Sequence, residues 1–322
     1  MSERYARQMV LPDVGAAGQA RLAAASVVVV GAGGLGCPVL QYLAGAGVGR
    51  LVIVDHDRVE ETNLHRQPLY TMADIGKLKA EAAAAALRRF NPGVAVDVVA
   101  ERLTPQNAKT LVAGADLLVD AADSFAATYV LSDACLAATK PLVSASVIGM
   151  TGYAGAFCGG GPSYRAVFPD VSVEAGTCAT VGVLGTAVAV LGGLQAHLAL
   201  HLLLGLEPTV LGRVITFDAR RLAFGGFGFA DSPEPEKFVP FIAPASVTAD
   251  DLVVDLRSLE EAPQSPFAGA RRLDVDHVTA LLAEPPSPRR IVLCCRSGQR
   301  SLAAADRLRE GGLDNLALVA LG

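Results

Sequence analysis

With 322 residues the chain is too long for one small domain, and a hydrophobic content of 52% excludes disorder as its bulk state. A net charge of -5 leaves no basic stripe for nucleic acid. The six cysteines, at 37, 135, 158, 178, 294 and 295, include no C-x-x-C pair, so they read as cytosolic thiols and not as a disulfide frame or a zinc site.

The start, Met1-Ser2-Glu3-Arg4, has no apolar core of a signal peptide, which makes the expected compartment the cytoplasm. Residues 2 to 25 have helical spacing and predict a solvated N-terminal helix that carries Arg4-Tyr5-Ala6-Arg7-Gln8. Four valines, 27 to 30, then run straight into Gly31-Ala32-Gly33-Gly34-Leu35-Gly36. A short β-branched run reads as a buried parallel strand, and glycines directly after it read as a turn that opens a helix, here Val39 to Gly47. Such a turn suits phosphate. Side chains are absent where backbone must come close, and the helix N-terminus offers free N–H groups and the positive end of its dipole. The G-x-G-x-x-G pattern alone fits a nicotinamide or flavin enzyme equally well.

Arg50 to Asp55 predicts a second buried strand ending in an acid, and an acid about 20 residues after the glycines is placed to accept hydrogen bonds from a ribose. The following stretch departs from a dehydrogenase. Thr62-Asn63-Leu64-His65-Arg66-Gln67 and Gly76-Lys77-Leu78-Lys79 precede an alanine-rich helix up to Arg89. Arg66 and Lys79 are suited to a triphosphate, whose leaving pyrophosphate must be neutralised as charge builds in the transition state. Taken singly, either is more ordinarily a surface cation.

Val94 to Ala100 predicts a third strand and Ala115 to Asp120 a fourth, emptying into Ala121-Ala122-Asp123-Ser124. Ligands of open α/β sheets sit beyond the carboxyl ends of strands, so Asp123 is placed either to hold a cation near phosphates or to cap the next helix. Pro141 to Ser146 predicts a fifth strand, and Gly149 to Phe157 opens a second, more antiparallel half. Ala175 to Leu206 lacks Asp, Glu, Lys and Arg for longer than a membrane span requires. Gln195, His197, His201 and several glycines within it favour a buried helix and no membrane.

Proline-rich punctuation at Ser232-Pro233-Glu234-Pro235 and Phe241-Ile242-Ala243-Pro244 marks a linker. Past it, Leu252 to Arg257 and Arg290 to Cys294 predict strands, the second leading into Cys295-Arg296-Ser297-Gly298-Gln299-Arg300-Ser301 and a helix. A cysteine at a strand end before a tight loop has backbone N–H groups around its sulfur, and Arg296 and Arg300 add positive charge.

GAGGLGCP, Asp55, TNLHRQ, GKLK, DAADS and GTCATVGVLGTAVAVLGGLQA together resemble the adenylyltransferases that activate ubiquitin-like sulfur carriers, the MoeB and ThiF type related to ubiquitin-activating enzymes. The resemblance covers residues 4 to about 220. It implies a Rossmann-like, mostly parallel α/β sheet with helices on both faces and an antiparallel extension. It also implies attack of a carrier's C-terminal glycine carboxylate on the α-phosphorus of ATP.

By position, the resemblance puts Gly33 and Gly34 against the nucleotide, Asp55 on the ribose, and Asn63, Arg66 and Lys79 on the phosphates. Asp123 would hold Mg²⁺, with Ser124 beside the nucleotide where relatives often have asparagine. Arg7 would reach the triphosphate of a neighbouring subunit, which implies a homodimer. Cys178 matches the cysteine of the loop crossing the adenylate site, where it would take the acyl group or join it through a disulfide.

Many relatives bind zinc through a cysteine pair at the position of Ser163-Tyr164-Arg165-Ala166 and a second pair after the final strands. This chain has neither pair, so no zinc is expected, and His197 and His201 are read as core or interface residues. The C-R-S-G-x-R-S loop resembles that of rhodanese sulfurtransferases, with Cys295 as persulfide carrier.

The expected organisation is thus an ATP-binding adenylyltransferase domain over 1–242 and a small α/β rhodanese-like domain over 246–322. The expected partner is a ubiquitin-like sulfur carrier ending in Gly-Gly. An NAD-dependent oxidoreductase and a non-catalytic docking scaffold are the alternatives.

Overall fold

The computed structural model describes residues 3–169, 182–285 and 288–321. Its main sheet has eight strands in the order β3-β2-β1-β4-β5-β6-β7-β8. The first five are Ser26–Val30 (β1), Arg50–Val54 (β2), Ala95–Val99 (β3), Leu117–Asp120 (β4) and Pro141–Ile148 (β5), all parallel. Thr151–Cys158 (β6), Arg213–Asp218 (β7) and Ala223–Gly228 (β8) add an antiparallel extension. This is the expected Rossmann-like class, and the chain order reverses between β1 and β4, where such sheets bind ligands.

Alternation along β1 divides the core. Val27 and Val29 face one apolar cluster with helices Gly36–Ala46 (α3) and Lys79–Phe90 (α4), while Val28 and Val30 face a second with Pro105–Ala113 (α5) and Phe125–Ala137 (α6). All four valines are buried, each contributing about 1.5–3 kcal/mol of transfer free energy. Valine on both faces is what a strand covered by helices on both sides requires.

Some boundaries differ from expectation. The N-terminal segment is two helices, Ala6–Met9 (α1) and Gly15–Ala24 (α2), and not one. Pro12 lies in the break and cannot donate to a continuing helix. Helix α3 begins at Gly36, three residues earlier than expected, because Pro38 falls in the first turn where its missing N–H costs nothing.

After the four-residue helix Tyr164–Val167 (α7), the long apolar segment forms helix Gly185–Leu204 (α8), which is apolar and long enough to cross a membrane by those two measures alone. It packs on α3, β5 and β6 with Ala187, Val188, Leu191, Gln195 and Leu198 buried, and leaves Thr186, Val190 and His197 exposed. His197 is thus a surface residue and not a core one, and His201 is half-buried.

The tail is a parallel sheet in the order β10-β9-β11-β12: Leu252–Asp255 (β9), Arg271–Arg272 (β10), Ile291–Cys295 (β11) and Leu316–Ala320 (β12), with helix Gln299–Glu310 (α9). The proline-rich connection is packed. Ile242 N–H donates to the Leu318 carbonyl at 2.8 Å, and Leu318 N–H to that of Pro240 at 2.9 Å, so the connection runs beside β12. Phe241 is buried and joins Tyr129 of α6 to Leu293 and Leu318 in one apolar cluster.

Ser163 N–H and Oγ donate to the two carboxylate oxygens of Glu234, both at 2.6 Å. Arg165 forms a bidentate pair with Asp133 and lies over the rings of Tyr129 and Phe238. A hydroxyl, a guanidinium and their carboxylate partners stand at the position where the resemblance implied zinc-binding thiols, and this donor set does not suit that metal.

Candidate active site

Strand register builds the site. Val30 of β1 pairs with Val54 of β2 on one side and with Asp120 of β4 on the other, so the turns that follow all leave from one sheet edge. Gly31, at φ 94°, lies so close to the β4 turn that a Cβ there would stand 2.5 Å from the Ala121 carbonyl oxygen. Only glycine lets the β1 turn and the Asp123 loop approach so closely.

On the other side of the turn, Asp55 is buried. Its Oδ2 accepts from Ala32 N–H at 2.7 Å and its Oδ1 from Asp57 N–H at 2.8 Å. Burial raises its pKa, with the Ala32 N–H and Lys79 opposing. The carboxylate therefore braces the glycine turn from within it. Lys79 opens α4 and is buried, with Nζ 2.9 Å from Oδ2 of the half-exposed Asp57. Burial pushes the Asp57 carboxyl up, but the Lys79 hydrogen bond and charge hold it below its ordinary value.

Between these elements lies the 63–67 turn. Asn63 is buried, its Oδ1 accepting from Glu60 N–H at 3.3 Å, which commits that oxygen to the turn. Arg66 is half-buried, with Nη1 3.1 Å from the Thr62 carbonyl and 2.9 Å from His65 Nε2. A Cβ on Gly34 would stand 2.8 Å from Val188 of α8 and 3.6 Å from Cγ of Arg66, so Gly34 is the narrow point between them.

Gln67 and Asp57 are two contributors that the sequence reading left unassigned. The Oε1 of Gln67 is buried without a hydrogen-bond partner among the described residues, and its Nε2 lies 3.6 Å from where a Cβ on Gly33 would be. A buried amide left unsatisfied beside a glycine turn is an opening for a polar ligand. The signal for both residues was adjacency, Asp57 two positions after Asp55 and Gln67 one after Arg66.

The structure thus gathers Gly33, Gly34, Asp55, Arg66 and Lys79 at one edge, with Asp123 on the neighbouring loop. Asp123 is exposed and has no hydrogen bond or ion pair among the described residues, so its carboxylate is available to a hard cation such as Mg²⁺. Ser124 turns away, its Oγ donating to the Ser297 carbonyl of the tail at 3.3 Å. Behind the loop Asp120 is buried, its Oδ2 accepting from Thr128 Oγ1 at 2.7 Å and Ser144 Oγ at 2.8 Å, and burial pushes its pKa up to about 6.

Two of the described residues stand apart, Arg7 and Cys295. Arg7 is exposed on α1, which is held to the far end of α3 by Gln8 Nε2 donating to the Ala46 carbonyl at 2.9 Å. The length of α3, about 15 Å, separates that point from the glycine turn of the same chain. Cys178 lies outside the described residues. Cys295 ends β11, on the tail side of α6.

The ThiF family matches residues 5–236. Over 221 residues the chain is 50% identical to the "Adenylyltransferase and sulfurtransferase MOCS3" of Bos taurus, a match covering 68% of this chain and 49% of the relative. It is 46% identical over 230 residues to the "Sulfur carrier protein adenylyltransferase" of Thermus thermophilus, covering 69% and 85%. The match thus spans about half of the MOCS3 relative. Among solved structures, MccB of E. coli crystallised with ATP superposes with a TM-score of 0.62 at 25% identity, covering 72% of this chain and 73% of that one.

Proposed function

Because the chain belongs to the ThiF family, we propose that it is a cytoplasmic homodimer that adenylates the C-terminal glycine of a ubiquitin-like sulfur carrier and then converts the carboxylate to a thiocarboxylate. The observation that carries the reading is the common edge at which Gly34, Arg66, Lys79 and the Asp123 loop converge. Polar, cationic and glycine groups there match a nucleoside triphosphate. An oxidoreductase has no need for paired cations, and neither relative named above is one.

In this reading a carrier carboxylate oxygen attacks the α-phosphorus, the bond to the β-phosphate oxygen breaks, and pyrophosphate leaves. Arg66 and Lys79 neutralise the charge that builds on it, joined by Arg7 of the neighbouring subunit. Asp123 would hold an Mg²⁺ ion, which supplies further neutralisation of phosphate charge when bound. Ligand contact at the glycine turn gives the orphaned Gln67 amide a partner. Thr186, Val190 and His197 on α8 offer an exposed, uncharged stripe for the second copy.

For sulfur transfer, the terminal sulfur of a persulfide on Cys295 attacks the acyl carbon and AMP leaves. A second thiol, Cys178 in this assignment, breaks the S–S bond and frees the thiocarboxylate. The two cysteines then share a disulfide that a cellular thiol must reduce. The alternative role of Cys178 is to take the acyl group first as a thioester.

Mass spectrometry of a Gly-Gly-ended carrier incubated with the protein, Mg²⁺-ATP and thiosulfate tests the reading. A gain of one sulfur for one oxygen is expected, lost in Cys295→Ser while carrier-dependent pyrophosphate exchange persists. Absence of exchange with every carrier offered would overturn it.

A further inference from the structure

Cys295 is fully buried. Its Sγ accepts from Gly298 N–H at 3.2 Å and Ser301 N–H at 3.4 Å, the cradle expected of an anion-holding loop, and its thiol donates to Ser301 Oγ at 3.5 Å. The outer side of this loop is seated on α6. The Ser297 carbonyl accepts from Ala126 N–H at 2.9 Å and from Ser124 Oγ at 3.3 Å, satisfying an N–H of the first helical turn that has no partner within the helix. A Cβ on Gly298 would stand 2.9 Å from the Phe241 ring and 3.0 Å from Ala126 Cβ, so no gap remains there. Phe241 is stacked in turn on Tyr129 of α6, with ring centroids 6.2 Å apart.

We infer that the first turn of α6 and Phe241 form a latch that shuts the Cys295 loop, and that occupation of the nucleotide site beside Asp123 releases it. Cys295 can exchange sulfur with a donor or acceptor only after the loop lifts from Ser124 and Ala126. Asp123 and Ser124 are adjacent on the loop that opens α6, so a ligand that draws this loop toward the glycine turn pulls on the two donors that hold Ser297. By linkage, whatever opens the latch also changes nucleotide affinity. The nucleotide half of this inference rests on the adenylation reading; the occlusion half stands on the contacts alone. The consequence is an order of events, with the thiol exposed only when the neighbouring site is loaded.

The test is the rate at which iodoacetamide modifies Cys295 in the full chain, read by peptide mass spectrometry, with buried Cys135 and Cys158 as controls for folding. In ligand-free protein Cys295 is expected to react at least about tenfold more slowly than in Phe241→Ala, and Mg²⁺-ATP is expected to speed the wild type by a similar factor. Phe241→Leu keeps the buried apolar contact while removing the ring from Gly298, and it serves if the alanine variant exposes Cys135. Equal rates in wild type and a folded Phe241 variant would overturn the latch. An unchanged rate with Mg²⁺-ATP, in a sample that performs pyrophosphate exchange, would overturn the coupling. If exchange itself is absent, the adenylation reading and the coupling fall together, and the latch stands or falls on the variant comparison.

Discussion

The ammonium of Lys79 is held 2.9 Å from the carboxylate of Asp57, a buried cation on a half-exposed anion at the edge of the glycine turn. The pairing compensates the desolvated ammonium and keeps it aimed while no phosphate is present. Lys79→Met should lower pyrophosphate exchange by about 100-fold or more, as expected for a group acting on transition-state charge. Asp57→Asn leaves Lys79 in place but removes the anion that anchors it, and should cost about tenfold, mostly in kcat/KM for ATP. Equal losses in steady-state assays of the two variants would show that Asp57 is more than an orienting group.

Arg7 sits at the far end of α3 from its own glycine turn, and this makes the shared-site proposal sharp. Arg7→Ala and Lys79→Met should each be inactive alone. Mixed in equal amounts under conditions that exchange subunits, they should recover about one quarter of wild-type activity, because half the dimers are hybrids with one intact site of two. If Arg7 served its own chain, the mixture would stay inactive. Size-exclusion chromatography of Arg7→Ala should still give the dimer.

The parts of the site that were legible in the sequence are those built by local chemistry. Valines 27 to 30 could only be a strand covered on both faces, and the glycines after them had to be a turn. Asp55, Arg66 and Lys79 followed because their elements end at the same edge once the strands are parallel. What escaped was set by contacts between distant segments. Nothing around Phe241 marked it as a plug between Tyr129 and Gly298, and its proline-rich neighbours suggested a linker. Ser124 looked like a nucleotide contact, yet its hydroxyl is 3.3 Å from a carbonyl 173 positions away. Such docking depends on how two sheets meet, which hydrophobic periodicity does not encode.

The Ser163–Glu234 and Arg165–Asp133 pairs tie α7 to the chain after β8 and to α6 through carboxylates. Prolonged EDTA treatment should leave the melting temperature unchanged, measured by differential scanning calorimetry. Ser163→Ala should cost about 1–2 kcal/mol, since Ser163 is buried although its partner Glu234 is exposed. Arg165→Ala should cost about 3 kcal/mol or more, because it strands the Asp133 carboxylate and empties the slot between Tyr129 and Phe238. A fall in stability on chelation would mean that a metal binds by other ligands.

Burial of Asp120 predicts a pH dependence of the fold whose sign follows from the direction of its shift. Its carboxyl is pushed up to about 6 by burial, against an ordinary value of 3.8, despite the Thr128 and Ser144 hydroxyls. The folded state therefore binds a proton more tightly than the unfolded state does. Stability from this group is full below about pH 4 and is lost as pH rises through about 6, an effect bounded by about 3 kcal/mol. Asp120→Asn cannot ionise, and its amide can still bond with both hydroxyls. The gain in stability of Asp120→Asn over wild type should therefore grow between about pH 4 and 6 and level off above that. Urea midpoints across this range decide it, and a difference independent of pH would show that Asp120 does not titrate on folding.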